Sequence, residues 1–245
     1  MVPLMARAPI DEVVVGFILD QAVGPDAVDS GCYLATRADR FVRHEIHEPI
    51  LSTPGFFEVP GPARVWLISA DDAWLVQLQQ DRFHANWRRR GNAPYPGFTR
   101  EGGAMHFAVD EFARFQAFCQ ATRGITPNAV SIELSKIDLL IMGKHWADNA
   151  DAAKLMPVLD GIFAMQTTRS GAVALRWHED IGDVNIAVAI GSAQLKAAPG
   201  VPAFRVDFRA SCPVTGDITE HLVRTNGILN DAFSRLIPDP ARRFS

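Results

Sequence analysis

Five arginines fall within residues 82–100, a segment that contains no acidic residue. Aromatic rings and polar side chains are interleaved with these cations. An arginine fork binds phosphate oxygens in pairs, and an aromatic ring stacks on a nucleic-acid base. The segment is therefore a candidate surface for binding nucleic acid or a protein partner. Its candidate binding residues are Arg82, His84, Asn86, Arg88, Arg89, Arg90, Tyr95 and Arg100.

A structural role is the alternative for the same arginines. The chain has 28 acidic residues against 24 basic ones, and its formal net charge of −4 gives no general attraction for nucleic acid. Phe83 and Trp87 would then face the core, while the arginines form ion pairs with carboxylates from other parts of the chain. The direction of the Arg88 and Arg90 guanidinium groups separates the two interpretations, because pairing with carboxylates removes most of the support for binding.

A ladder of polar side chains forms a second candidate site. Alternation with a period of two predicts a β-hairpin over residues 73–90, with Gln77, Gln79, His84 and Asn86 on one face. Alternation alone favours a solvated outer face of a sheet. A ligand cavity under a helix is the other interpretation, since such cavities gather a few polar groups within apolar walls.

The turn of this hairpin sets its register. A turn at residues 81–82 places Val76 opposite Trp87 and Gln79 opposite His84. Tight hairpin turns favour Gly or Asn, which tolerate a positive φ, so a longer turn with a shifted register is the alternative.

Two imidazoles and two carboxylates lie close together in residues 43–48. On a helix, His44 and His47 would share a face and could hold a metal ion. Pro49 and the preceding apolar pair at residues 41–42 favour an extended segment, which places the two imidazoles on opposite faces. The spacing reveals no third ligand, and we predict neither a metal nor a cofactor.

Motifs for covalent or nucleotide chemistry are not found in the sequence. It contains no G-x-S-x-G elbow, no P-loop and no G-x-G-x-x-G after a predicted strand. Cys32, Cys119 and Cys212 have neither metal-ligand spacing nor a disulfide pattern. No catalytic residue is therefore predicted.

Composition places the chain among ordinary globular proteins. It has 245 residues, of which 48% are hydrophobic and 21% are charged. The three isolated cysteines fit a reducing compartment. The longest apolar run is too short to span a bilayer, and the N-terminal region lacks an apolar signal segment. We therefore expect a cytoplasmic protein that does not bind membranes.

The sequence predicts two long amphipathic helices among a series of strands. The first is predicted at residues 108–123, with Gly124 as its stop, and the second begins after Asp217 as N-cap. Residues 26–52 have no clear pattern. The predicted strands lie at residues 10–19, 65–69, 128–142, 162–168, 173–177, 184–190 and 203–210, in addition to the hairpin.

The order of these elements predicts an α+β protein made of two halves, each an antiparallel sheet followed by one long helix. The halves would span residues 1–145 and 146–245, and a diverged duplication is one interpretation of this plan. No repeat is visible residue by residue. A single continuous domain, with one sheet around both helices, is the alternative.

Short motifs give the chain a resemblance to a known family. It resembles a sporadically distributed family of uncharacterised bacterial proteins whose signature reads LQ-x-DR…NWR…YP. This resemblance implies a bacterial protein and brings no mechanism with it. The matching stretches are residues 8–14, 78–82, 86–88, 95–96, 131–134 and 217–236.

Three functions follow as expectations. The first is a non-enzymatic bacterial protein that binds another macromolecule. Its partner would be another protein or further copies of the same chain. The sporadic distribution of the resembled family suggests a defence or toxin–antitoxin setting. The second is RNA or DNA binding through residues 82–100. The third is a small-molecule or enzymatic site between sheet and helix that uses Gln77, Gln79, His84 and Asn86.

Overall fold

A computed structural model describes residues 10–23, 27–47, 64–91, 93–141, 174–195 and 198–236. Within these residues the chain forms three helices, α1 (Ala27–Thr36), α2 (Ala104–Arg123) and α3 (Ile218–Leu236). It also forms nine strands, β1 (Ile10–Leu19), β2 (Phe41–His47), β3 (Arg64–Ser69), β4 (Trp74–Gln79), β5 (Arg82–Arg88), β6 (Ala129–Ile141), β7 (Ala174–Ile181), β8 (Val184–Leu195) and β9 (Ala198–Pro213). The strand predicted at residues 162–168 lies outside the described residues.

The nine strands form one antiparallel sheet, in the order β2-β3-β4-β5-β1-β6-β9-β8-β7. The first group of strands, β1 to β5, precedes α2, and the second group, β6 to β9, precedes α3. In each group the last strand returns to lie beside the first. The predicted α+β class is therefore confirmed.

The chain folds as two compact units, each drawn from separate stretches of sequence. One comprises Glu12–Leu134 with Ser211–Val223, and the other comprises Ser135–Ala210 and Arg224–Ser245 with Met1–Asp11. All the candidate binding residues lie in the first of these units, which we call the N-terminal unit.

The other unit contains β8, most of β9 and α3 from Arg224 onward, whereas the first residues of α3 belong to the N-terminal unit. Alternate residues of β8 from Val184 to Ile190 are buried, and Phe208 of β9 packs against Phe233 of α3 with ring centres 5.5 Å apart. The side chain of Asp217 accepts a hydrogen bond from the Thr219 N–H at 2.8 Å, which confirms the predicted N-cap of α3.

Aromatic residues hold α2 against the sheet of the N-terminal unit. Phe17 of β1 stacks on Phe112 at 4.4 Å between ring centres, and Phe83 of β5 packs against both Phe112 and Phe115. These residues project from one side of the alternating strands, so the helix covers the apolar face of β1 and β5. Phe83, Phe112 and Phe115 are at most 5% exposed.

Helix α2 starts four residues earlier than predicted. Gly103 is its N-cap in an extended conformation, and Gly124 ends it at φ +69°, as the sequence predicted. A Cβ on Gly103 would lie 2.7 Å from the carbonyl oxygen of Gly97, so this glycine permits a close backbone approach at the start of the helix. The glycine pair before residue 104 concealed this extension of the helix.

Helix α1 and strand β2 occupy part of the segment that sequence patterns left unassigned. Tyr33 of α1 packs edge-on against Phe115 of α2. Arg37, just after α1, forms two hydrogen bonds with the Glu111 carboxylate, at 2.7 and 3.1 Å. The two side chains are 9% and 2% exposed, so a buried ion pair joins this connection to α2. Strand β2 is extended, as the sequence favoured for His44 and His47.

The hairpin of β4 and β5 is confirmed, but the predicted register is wrong by two residues. Val76 lies opposite Ala85, and Gln77 lies opposite His84. The turn consists of Gln80 and Asp81, and neither adopts a positive φ. A shift by two residues leaves every side chain on its face, so alternation does not detect it.

Backbone hydrogen bonds from the end of β1 explain why this turn is short. The Leu19 N–H donates to the carbonyl oxygen of Asp81 at 2.9 Å, and the Val23 N–H donates to that of Gln80 at 2.7 Å. Both turn carbonyls therefore have partners that lie about sixty residues away in the sequence. Local turn preferences contain no information about these partners.

Candidate functional site

The polar ladder is buried, so the favoured interpretation of a solvated outer face is wrong. Asn86 is 2% exposed, Gln77 and His84 are 5% exposed, and Gln79 is 8% exposed. Buried polar groups are costly unless they form hydrogen bonds. The partners of these side chains therefore decide what the face can do.

One chain of hydrogen bonds crosses four strands of this face. Arg64 on β3 donates from Nη1 to Gln77 Oε1 at 3.2 Å, and Gln77 Nε2 donates to Asn86 Oδ1 at 2.7 Å. Asn86 Nδ2 then donates to Glu12 Oε1 on β1 at 2.7 Å. The network links a cation to a carboxylate through two neutral amides, and each amide both donates and accepts. Gln77 and Asn86 are therefore engaged with neighbouring side chains.

In a second network the side chain of His84, on β5, extends over β1 to reach Glu133 on β6. The His84 Nε2 lies 3.0 Å from Glu133 Oε2 on β6, and Arg82 Nη1 lies 3.5 Å from the same oxygen. Gly16 of β1 lies opposite His84, and a Cβ there would lie 2.2 Å from the imidazole Cδ2. The missing side chain of Gly16 provides the space in which the ring reaches Glu133.

Asp72 gathers three arginines at the turn between β3 and β4. It accepts hydrogen bonds from Arg43 and Arg88 at 2.8 Å and from Arg90 at 2.6 Å. Burial raises the pKa of Asp72, but the hydrogen bond from Arg90 and the charges of the three arginines outweigh it and hold this pKa below its usual value. Pairing of Arg88 and Arg90 with a carboxylate supports the structural interpretation and weakens the case for a nucleic-acid surface.

The other predicted binding residues do not join this cluster. Tyr95 packs its ring against buried Trp87, with ring centres 5.3 Å apart. Arg89 is half-buried, and Arg100 is exposed in the loop before α2, where its carbonyl oxygen lies 2.6 Å from His106 Nδ1. The eight candidates thus divide between the ladder, the Asp72 cluster and the loop.

A cluster centred on Trp66 of β3 was not indicated by the sequence patterns. The guanidinium carbons of Arg64 and Arg88 lie 5.3 and 5.4 Å from the centre of its ring system, and the His47 ring stacks against it at 3.9 Å. Alternation in β3 could have placed Arg64 and Trp66 on the polar face. The approach of Arg88 and His47 depends on neighbouring strands and was not visible.

The edge position of β2 is a second feature that the sequence patterns did not indicate. Among the described strands it lies at one end of the sheet, and β7 lies at the other. Val42 and Ile46 of β2 are 60% and 63% exposed, which makes them the two most exposed large hydrophobic side chains of the described residues. An edge strand carries backbone groups that can pair with another strand.

Comparison with models of protein families, with curated proteins and with solved structures found no match. Among the described residues, no group of three or more His, Cys, Asp or Glu side chains is placed to hold a metal ion. No helix in the same parts of the chain is long and apolar enough to cross a membrane.

Proposed function

We propose that this protein is a non-enzymatic binding protein and that it associates with a second copy of its own chain through β2. The supporting observation is the edge strand β2. Its exposed residues are complementary to those of a second β2 that runs antiparallel to it. In β-strand addition, backbone hydrogen bonds provide affinity and alternate side chains provide specificity. Among the described strands β2 lies at one end of the sheet, and its exposed residues supply the alternate side chains.

The order of residues in β2 is symmetric about His44. In an antiparallel pair of two copies centred there, Val42 of each copy faces Ile46 of the other, and Arg43 faces Glu45. The pairing therefore joins apolar side chains to apolar ones and opposite charges to each other, which is the favourable arrangement across strands. Arg43 and Glu45 are 47% and 41% exposed and thus accessible to a second copy.

Strand β7 has a similar order of residues, centred on His178. In an antiparallel pair of two β7 strands, Arg176 of one copy would face Asp180 of the other. Its large apolar residues, Leu175, Trp177 and Ile181, are half-buried, whereas Val42 and Ile46 of β2 are largely exposed. Burial of exposed apolar surface is the main favourable term in association. We therefore assign the association to β2 and use β7 as the matched control.

We also infer that the two groups of strands descend from a duplicated unit. The return of the last strand of each group to the first, and the long helix after each group, support this inference. The His-centred order of both outermost strands adds to it.

Charge exchange within β2 tests the association. Because the contact is reciprocal, Glu45→Arg places arginine opposite arginine twice, and we expect affinity to fall by about tenfold or more. Adding Arg43→Glu in the same chain restores opposite charges, so the doubly substituted protein should again form dimers. Sedimentation equilibrium over a concentration series measures both effects. We expect a dissociation constant on the order of micromolar for the unmodified chain, because a single strand pair buries less surface than a standard interface.

The control is Asp180→Arg on β7, which should leave the dissociation constant unchanged. Thermal unfolding of each variant verifies that the fold is retained. A chain that stays monomeric at about 100 μM would refute the proposal. A double exchange as weak as the single one, or a loss caused by Asp180→Arg instead, would equally refute it.

A further inference from the structure

Three buried N–H groups around Trp66 have no acceptor among the described residues. Within the part of the chain that the structure describes, the Nε of Arg64, the Nε1 of Trp66 and the Nε of Arg88 are buried and have no hydrogen-bond partner. Both guanidinium carbons lie within 5.4 Å of the centre of the Trp66 ring system, so the three donors belong to one cluster. Leaving a buried donor without an acceptor is unfavourable, and three in one place require an explanation.

Burial disfavours the charged form of both arginines in this cluster. It lowers the pKa of Arg64, and the charge of Glu12 acts in the opposite direction. Burial, and then the charge of Arg90, lower the pKa of Arg88, although the charges of Asp72, Glu12 and Glu45 act in the opposite direction. For both cations burial is the largest of these effects, so an anion placed against the unpaired Nε groups would stabilise them.

We propose that the Trp66 cluster is a binding site for a small oxyanion, a phosphate or carboxylate group. The Nε of an arginine and one of its terminal nitrogens can hold two oxygens of such a group, and the indole N–H of Trp66 supplies a further donor. Packing of both guanidinium groups on the ring restricts their movement, which lowers the entropy lost on binding. The site rests on these donors alone and does not depend on association through β2.

The indole N–H of Trp66 provides a direct measurement. The chain has five tryptophans, and Trp66→Phe identifies the Trp66 signal in an ¹H–¹⁵N spectrum of the full chain by its loss. On titration with sodium phosphate at constant ionic strength, we expect this signal to shift and saturate with a dissociation constant of about 1 mM. The Trp177 indole, in the other unit, is the internal control and should not move.

Two conservative variants distinguish the contribution of the paired guanidinium donors to binding from that of the positive charge. Arg64→Lys and Arg88→Lys keep the positive charge but remove the paired donors, and each should weaken phosphate binding by about tenfold. A parallel titration with sodium acetate distinguishes the two oxyanions, and saturation with either one supports the proposal. The Asp180→Arg variant, which alters β7 in the other unit, should bind phosphate as the unmodified chain does.

Several outcomes would overturn the oxyanion site. One is a Trp66 signal that stays in place up to about 50 mM phosphate and acetate. Another is an equal shift with sodium chloride alone, which would mean general ionic screening. A third is binding of a single-stranded oligonucleotide with no response to phosphate itself, which would assign the cluster to nucleic acid.

Discussion

Replacement of Glu111 by Gln is expected to destabilise the protein by about 3–5 kcal/mol, because it leaves the buried guanidinium of Arg37 without its main counter-charge. Glu111 is 1% exposed and holds both Arg37 Nε and Nη2. The hydrogen bond to Glu111 is also the chief cause that raises the pKa of Arg37, and the variant loses this stabilisation of the buried cation. Urea denaturation at neutral pH, with the slope compared between proteins, measures the loss.

Asp39 supplies the control for this substitution. It also pairs with Arg37 at 2.9 Å, but its side chain is 71% exposed. Asp39→Asn should therefore cost less than about 1 kcal/mol, because exposed ion pairs are screened by solvent. Equal losses for the two variants, or a negligible loss for Glu111→Gln, would show that the buried pair does not hold α2 to the segment after α1.

Replacement of Gly16 by Ala is expected to cost about 2–4 kcal/mol, because the new methyl group occupies the space of the His84 ring. The added Cβ would lie 2.2 Å from Cδ2 and 2.6 Å from Nε2 of that ring. His84 is 5% exposed, so the ring has little room to move and must give up its contact with Glu133. Chemical denaturation measures the free-energy loss.

A double-mutant cycle identifies the cause of this loss. In a His84→Ala background the closest contact that the new methyl group would retain is Glu133 Cβ at 3.3 Å, so Gly16→Ala should then cost less than about 1 kcal/mol. A cost that is the same with and without His84 would mean that the methyl group collides with something other than the imidazole. The contact of His84 with Glu133 over Gly16 would then not account for the loss of stability.

Sequence patterns predicted the elements whose causes are local. The apolar stripe of α2 with Gly124, and Asp217 before α3, are signals that lie within a few residues of the structure they specify. The assignment of Gln77 and His84 to one face of the hairpin also follows from a period of two. Its register did not follow, because the hydrogen bonds from Leu19 and Val23 that set the turn come from a distant part of the chain.

The candidate sites were only partly predictable for the same reason. Alternation identifies which residues share a face but not whether that face is covered, so the burial of the Gln77 ladder was missed. Convergence of Arg43, Arg88 and Arg90 on Asp72 requires the pairing of β2, β3, β4 and β5. The symmetric order of residues 42–46 was present in the sequence, but it has meaning only when β2 is known to be an edge strand.

Disulfide trapping at the centre of β2 tests the proposed association most directly. In an antiparallel pair centred on residue 44, His44 of one chain lies directly opposite His44 of the other. His44→Cys therefore brings two thiols close enough to form a disulfide. Exposed Cys32 is replaced by Ser to remove background cross-linking. Mild oxidation should give a covalent dimer with His44→Cys, and little with Ile46→Cys or with His178→Cys at the centre of β7. No dimer from His44→Cys, or similar yields at all three positions, would contradict pairing through β2.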